Sequence, residues 1–158
     1  MKIAYFDIDG VLANDTHRVE HAQNKRWDDY FHPESVAADA VWQQGQDAVS
    51  RAQVDGWTIA YMTGRWEALR GVTQAWLDEH GFPAGELVMR PLEVTAPLAA
   101  LKAGMLEEIT SDPNVEQIVL YDDDPEVVRE VQKRLGHSAA IHCTWHIKRA
   151  ALVAEAIA

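Results

Sequence analysis

The chain has 158 residues, of which 47% are hydrophobic and 25% are charged, and its formal net charge is −11. This length suits one compact domain with a sizeable core, and the acidic balance excludes the broad basic surface that non-specific nucleic-acid binding requires. The single cysteine, Cys143, excludes an internal disulfide framework. We expect a cytoplasmic protein without a membrane span, because the early apolar run is short and two aspartates break it.

Strand and helix signals alternate along the chain. The predicted strands cover residues 2–7, 57–62, 86–89, 115–121 and 139–142. The predicted helices cover residues 35–54 with Ser35 as N-cap, 65–80, 97–110, 125–135 and 146–157. A polar and aromatic stretch, residues 14–33, follows the first strand. Strands that alternate with helices of this length predict a parallel, doubly wound α/β sheet.

The first predicted strand ends in two carboxylates, Asp7 and Asp9. Side chains two residues apart in an extended chain point the same way, and Gly10 allows a sharp turn directly after them. An exposed acidic turn is one interpretation, since Asp and Gly are common turn residues. The other is a functional pair, because like charges held together cost stability unless a cation lies between them.

Two further strand ends carry polar side chains. Thr63 and Arg65 follow the second predicted strand, and Asp122 and Asp123 follow the strand over 115–121. Ligands bind outside the carboxyl ends of the strands in sheets of this kind. We therefore expect these side chains to converge on one edge of the sheet, with Lys102 on the preceding helix nearby.

Carboxylates in such a cluster suit Mg²⁺, which prefers oxygen ligands. An aspartate between a metal and a phosphorus atom can act as a nucleophile and form an acyl phosphate. A carboxyl group two residues along can protonate the leaving alkoxide and then deprotonate the attacking water. A threonine hydroxyl, a lysine and an arginine would bind phosphoryl oxygens. These features predict phosphoryl transfer, although a solvated Lys102 and an acidic helix cap at 122–124 stay open as simpler interpretations.

The motifs resemble those of the haloacid dehalogenase (HAD) superfamily, in order and over nearly the whole chain. The resemblance is carried by D-I-D-G-V-L at 7–12, the apolar run ending in Thr63, Lys102, and the apolar run ending in Asp122 and Asp123. It implies a Rossmannoid three-layer α/β sandwich with a central parallel sheet. It also implies one phosphatase domain over residues 1–158 with a short cap insertion at about 14–34. Val11 stands where this superfamily more often has threonine.

The resemblance also implies roles for individual residues. Asp7 would be the nucleophile and Asp9 the general acid and base. Thr63 and Lys102 would bind the phosphoryl group. The implied cofactor is Mg²⁺, and the residues that would hold it are Asp7, Asp9, Asp122 and Asp123.

Five short segments are similar to the phosphatase half of phage and bacterial polynucleotide kinase/3′-phosphatases. They are T-H-R at 16–18, W-D-D-Y-F at 27–31, T-G-R at 63–65, L-V-M-R-P at 87–91 and D-D-D-P-E-V-V at 122–128. This similarity implies phosphate or substrate contacts by Arg65, with Gly64, Arg18 and Arg90 as further binding residues. The G-x-x-x-x-G-K-[S/T] phosphate loop of the kinase half does not occur in the sequence.

The substrate stays open between a nucleic-acid 3′ end, a nucleotide and another small phosphate ester. The acidic net charge predicts that no extended nucleic-acid groove exists. Trp27, Tyr30 and Phe31 form either a lid over the site or a small separate core. A receiver-type signalling domain fits poorly, because its lysine comes last and its aspartates are spaced differently. A degenerate phosphate-binding module on the same fold is a further alternative.

Overall fold

The computed structural model describes residues 1–146. The alanine-rich helix predicted over 146–157 therefore lies outside the described residues, apart from its first position. The strands are β1 Lys2–Phe6, β2 Ala13–Asn14, β3 Ala40–Val41, β4 Thr58–Trp66, β5 Leu87–Arg90, β6 Gln117–Asp122 and β7 Ala140–His142. The α-helices are α1 Val19–Gln23, α2 Trp27–Tyr30, α3 Pro33–Ala37, α4 Gln43–Val54, α5 Arg70–Glu79, α6 Leu98–Thr110 and α7 Pro125–Leu135. Short 3₁₀ helices cover Thr16–Arg18, Glu67–Leu69 and His137–Ala139.

The central sheet has five strands in the order β5-β4-β1-β6-β7, and all of its pairings are parallel. Strand β1 lies in the middle and is almost wholly apolar, as expected for a strand covered on both faces. The predicted parallel α/β fold is thereby confirmed. No helix among residues 1–146 has the length and apolar character needed to cross a membrane.

Two hydrophobic cores cover the two faces of the sheet. Because side chains alternate along a strand, Ala4 and Phe6 pack with helices α4 and α5, whereas Ile3 and Tyr5 pack with helices α6 and α7. The result is the three-layer arrangement that the HAD resemblance implies. It places the carboxyl ends of β1, β4 and β6 at one edge.

The insertion after β1 contains the first 3₁₀ helix and helices α1 to α3, and the pair β2–β3 borders it. The single helix predicted over 35–54, with Ser35 as its N-cap, is wrong. Pro33 begins α3 earlier, with His32 as the cap that accepts a hydrogen bond from the Glu34 amide. The chain then extends as β3 before α4 begins, because Ala40 and Val41 pair with β2.

Strand β4 is longer than predicted. It continues to Trp66 and so includes Thr63, Gly64 and Arg65. The helix predicted from residue 65 accordingly begins at Arg70, after a 3₁₀ turn. The remaining described elements lie within about two residues of their predicted bounds.

Candidate active site

A cavity of about 560 Å³ opens at the carboxyl ends of β1, β4 and β6. Six aspartates line it: Asp7, Asp9, Asp15, Asp122, Asp123 and Asp124. Arg90, Gly64 and Leu98 also line it, together with four aromatic residues, Trp27, Tyr30, Phe31 and Trp66. The convergence of polar strand ends that the sequence predicts is therefore observed.

Three aspartates and one lysine lie together at the carboxyl ends of the strands and on helix α6. One carboxylate oxygen from each of Asp7, Asp122 and Asp123 lies within 4.8 Å of the other two. The Lys102 amine is buried beside them, with Nζ 3.1 Å from Asp7 Oδ1 and 2.6 Å from Asp122 Oδ2. We call these four residues the acidic cluster.

The acidic cluster has more negative than positive charge. Burial raises the pKa of Asp7 well above its usual range, although Lys102 opposes this. Burial and the neighbouring Asp122 raise the pKa of Asp123 to about 7. Burial disfavours the Lys102 cation, but Asp122 and Asp7 outweigh it, so its pKa is raised and it stays charged. One lysine among three carboxylates leaves room for a second cation.

The acidic cluster fits Mg²⁺ in its chemistry. Its free donors are carboxylate oxygens, the hard ligands that this ion prefers. Gly10 lets the third carboxylate approach: a Cβ at this position, where φ is 81°, would lie only 2.3 Å from Asp123 Oδ2. A glycine is therefore required on steric and conformational grounds. Asp7, Asp122 and Asp123 are the residues that would hold the ion. The fourth predicted ligand, Asp9, is not in this group, because its carboxylate accepts hydrogen bonds from two arginines, and its role at the metal stays a prediction.

Asp9 lies beside the acidic cluster in a different environment. Arg65 Nε is 3.1 Å from Asp9 Oδ2, Arg65 Nη2 is 2.7 Å from Oδ1, and Arg18 Nη2 also donates to Oδ1. Burial favours the neutral acid, but the two arginines outweigh it and lower the pKa of Asp9 to about 2. Asp9 is therefore a carboxylate at neutral pH.

Asp39 completes this second group of charges, and sequence reasoning missed it. Arg18 donates to both carboxylate oxygens of Asp39, at 2.8 and 2.6 Å, and Arg65 Nη2 lies 3.3 Å away. The Trp76 indole N–H donates to the Asp39 carbonyl at 2.8 Å and fixes its backbone. We call Asp9, Asp39, Arg18 and Arg65 the arginine–aspartate cluster. Asp39 belongs to no recognised motif, and no signal in the sequence marks it, because the burial of the two arginines that need a second carboxylate is seen only in the structure.

The predicted substrate-binding residues divide into two groups. Arg18 and Arg65 are fully buried, with donors directed at carboxylates, so a phosphate contact by either stays a prediction. Thr63 is also buried, and its Oγ1 accepts a hydrogen bond from the Arg65 amide. Gly64 and Arg90, in contrast, line the cavity itself.

Arg90 is half-buried at the edge of the cavity. Its guanidinium lies over the Trp66 ring, 5.2 Å from the centroid, and Nη1 donates to the Ala96 carbonyl at 2.8 Å. In the part of the chain that the structure describes, it is the one basic side chain lining this cavity.

The family described as PITM 1-3, LNS2 domain matches residues 4–131. The chain belongs to this LNS2 domain family. The match includes both strand ends that carry the acidic cluster, and it ends within helix α7. No curated protein sequence matches the chain.

Three solved structures place this LNS2 chain in a wider fold group. A chain of the Pnkp1/Rnl/Hen1 RNA repair complex is 22% identical, with a TM-score of 0.71 over 90% of this chain and 42% of that one. A class C acid phosphatase from Bacillus anthracis with tungstate bound is 16% identical, with a TM-score of 0.59 over 89% and 65%. A HAD family hydrolase from Salmonella enterica serovar Typhi is 12% identical, with a TM-score of 0.53 over 87% and 61%.

These similarities show that the chain has the HAD-like phosphatase fold, and they confirm the recognition of that fold from the sequence. The chain spans less than two thirds of each of these solved chains, and less than half of the one from the RNA repair complex. What they share with it is the fold.

Proposed function

We propose that the chain is a Mg²⁺-dependent phosphomonoesterase that works through an aspartyl phosphate on Asp7. The observation that carries this proposal is the acidic cluster. A buried lysine bridges Asp7 and Asp122 while Asp123 completes a set of oxygen donors at the strand ends. Held by these aspartates, Mg²⁺ would supply positive charge to the phosphoryl oxygens and to the crowded carboxylates.

In the first step, an Asp7 carboxylate oxygen attacks phosphorus, and the bond from phosphorus to the leaving oxygen breaks. Lys102 favours the ionised nucleophile, because its ammonium lies 3.1 Å from Asp7 Oδ1. The leaving alkoxide takes a proton from Asp9 and departs as an alcohol. In the second step, water attacks the same phosphorus and gives a proton to Asp9, which releases phosphate and restores the Asp7 carboxylate.

The protonation state of Asp9 changes between these steps. Its low pKa makes it the base form, which the second step needs. A bound phosphate dianion would raise the pKa of this carboxyl by like-charge repulsion, which favours the acid form that the first step needs. The two arginines hold Asp9 in place in both forms.

A nucleic-acid 3′ end is the substrate class that we propose within this activity. It is supported by the five segments similar to polynucleotide kinase/3′-phosphatases and by the structural similarity to a chain of an RNA repair complex. The lining of six aspartates and one arginine suits contact with the terminal nucleotide or two, without an extended groove. We also propose a cytoplasmic location, which the single cysteine suits.

A panel of phosphate esters, assayed with Mg²⁺ and with EDTA, tests this function. We expect a 3′-phosphorylated oligonucleotide to be a better substrate than a 5′-phosphorylated one, by kcat/KM, with turnover lost in EDTA. Binding should depend weakly on salt, with a log–log slope of about −1 to −2, because few phosphates are contacted.

Other outcomes of this panel would change the assignment. A preference for 5′-mononucleotides would make the chain a nucleotidase with the same Asp7 chemistry. A steep dependence of binding on salt would contradict the prediction that the chain has no extended nucleic-acid groove. Binding of inorganic phosphate without turnover of any ester would favour the degenerate binding module.

A further inference from the structure

An aromatic surface lies at the mouth of the cavity, beside the proposed catalytic carboxylates. Trp27, Phe31 and Trp66 line both the cavity and an adjoining depression. Trp27 and Phe31 stack with ring centroids 6.3 Å apart and planes at 25°. Trp27 is 53% exposed, and Leu92, at the same depression, is 64% exposed. Large apolar side chains exposed together beside a polar site mark a binding surface.

Packing within the insertion does not explain why position 27 carries a tryptophan whose ring is largely exposed. Tyr30 performs that packing, because it is buried, lies 4.3 Å from the Arg18 guanidinium and donates its hydroxyl hydrogen bond to Asp15. The Tyr30 ring also contacts Phe31 edge-on, with centroids 4.7 Å apart. These contacts hold α2 in place and leave much of the Trp27 ring in solvent.

The charges around the cavity restrict what this surface can bind. The lining contains six aspartates against one arginine, so phosphates of the leaving group would be repelled from the cavity and would lie outside it. A planar and uncharged ring meets no such penalty. The Trp66 ring is held in place by the Arg90 guanidinium, 5.2 Å from its centroid, which keeps an aromatic face at this position.

We propose that Trp27, Phe31 and Trp66 form a stacking surface for the nucleobase of the leaving group, which is the terminal nucleoside of the substrate. The inference rests on the proposed phosphatase function, and it adds the residues that select an aromatic leaving group. Stacking on aromatic side chains tolerates any base, because every base has a π-face. Affinity for the substrate therefore comes mainly from the stacking of one base on this surface, rather than from many contacts with phosphates.

Two esters that differ only by the base test this proposal with Mg²⁺ present. They are deoxyadenosine 3′-monophosphate and 1,2-dideoxyribose 3-phosphate. We expect Trp27→Ala to raise KM for the base-bearing ester roughly tenfold, with kcat nearly unchanged and with no effect on the abasic ester. Trp27→Phe keeps a ring and should behave almost as the unaltered protein does. Val54→Ala truncates an 87% exposed side chain at the end of α4, before the amino end of β4 and so away from the carboxyl-end cavity, and is the matched control.

Equal increases in KM for both esters would overturn the proposal, since they would reveal a structural role for Trp27. Calorimetric titration of the Asp7→Asn variant with the same two esters separates this proposal from the phosphatase assignment. We expect the base-bearing ester to bind about tenfold more tightly. Equal affinities would reject stacking even in an active phosphatase. Tighter binding of the base-bearing ester without turnover by the unaltered protein would support stacking and reject the phosphatase.

Discussion

Asp7 and Asp9 lie two residues apart, yet their surroundings have opposite electrostatic effects. The acidic cluster contains one lysine and three carboxylates, and the pKa of Asp7 is raised. In the arginine–aspartate cluster, two arginines form ion pairs with two carboxylates, and the pKa of Asp9 is lowered to about 2. Burial raises the pKa of both carboxyls, and their charged neighbours make the difference: Asp7 contacts one lysine and lies beside Asp122 and Asp123, whereas two arginines contact Asp9.

One part of the site has too little positive charge for its carboxylates, whereas in the other part the charges are balanced. The acidic cluster has one cation among three carboxylates, so we propose that Mg²⁺ and a phosphoryl group bind there. The arginine–aspartate cluster is charge-balanced and internally hydrogen-bonded, so it holds Asp9 in one position. Perturbations of the two clusters should therefore have different consequences.

Replacing Asp7 by Asn should give the largest effect. The substitution removes the proposed nucleophile, so Mg²⁺-dependent turnover should fall by several orders of magnitude. The fold should be retained, because one of three crowded carboxylates becomes neutral while Lys102 keeps its contact with Asp122. Steady-state kinetics with circular dichroism on the same sample measures both. Unaltered turnover by this folded variant would remove Asp7 from the mechanism.

Replacing Asp9 by Asn should reduce turnover by a factor of about 10² to 10⁴, the usual contribution of a general acid. The loss should be smaller for p-nitrophenyl phosphate than for an alkyl ester, because p-nitrophenolate needs little protonation to depart. The ratio of the two rates, compared between the variant and the unaltered protein, is the measurement. An identical loss on both esters would contradict the acid role.

Arg65→Gln tests whether the arginine–aspartate cluster is a structural unit. It leaves Asp9 and Asp39 buried with one cation fewer, so the free energy of unfolding should fall by about 3–5 kcal/mol. Arg70→Gln is the matched control, because Arg70 pairs with Glu67 at 2.7 Å on the surface and should cost at most about 1 kcal/mol. Urea denaturation measures both. If both variants lose the same free energy of unfolding, the buried arginine–aspartate cluster adds no more stability than the surface ion pair does.

Addition of Mg²⁺ should stabilise the folded protein, and it should do so through the acidic cluster and not through the arginine–aspartate cluster. At a hundredfold excess over its Kd, an ion bound only to the folded state adds about 3 kcal/mol, which raises Tm by several degrees. Asp123→Asn should abolish this increase in Tm, since it removes a proposed ligand. Asp124→Asn should keep it, because Asp124 caps α7 through a bond from the Glu126 amide and Asn caps equally well. Loss of the increase in both variants would contradict the assigned ligand set.

The sequence predicted the sheet and the convergence of its polar strand ends for a definite physical reason. Apolar runs such as Ile3–Phe6 encode burial locally, and the carboxyl ends of parallel strands must meet at one edge. Asp7, Asp122 and Asp123 could therefore be grouped from their positions in the sequence alone. The break in the helix predicted over 35–54 could not be seen, because it depends on pairing between β2 and β3.

The sequence by itself determined the α/β order and which side chains reach the sheet edge, because both follow from local periodicity and chain direction. The tertiary structure alone decided how charges pair around that edge. Arg18 and Asp39 are 21 residues apart, and Arg65 and Asp9 are 56 apart, so no local pattern links them. Arg65 reaches Asp9 because β4 pairs with β1, whereas Arg18 and Asp39 join them because the insertion folds back on the sheet. That packing gives Asp7 one cation to share and gives Asp9 two.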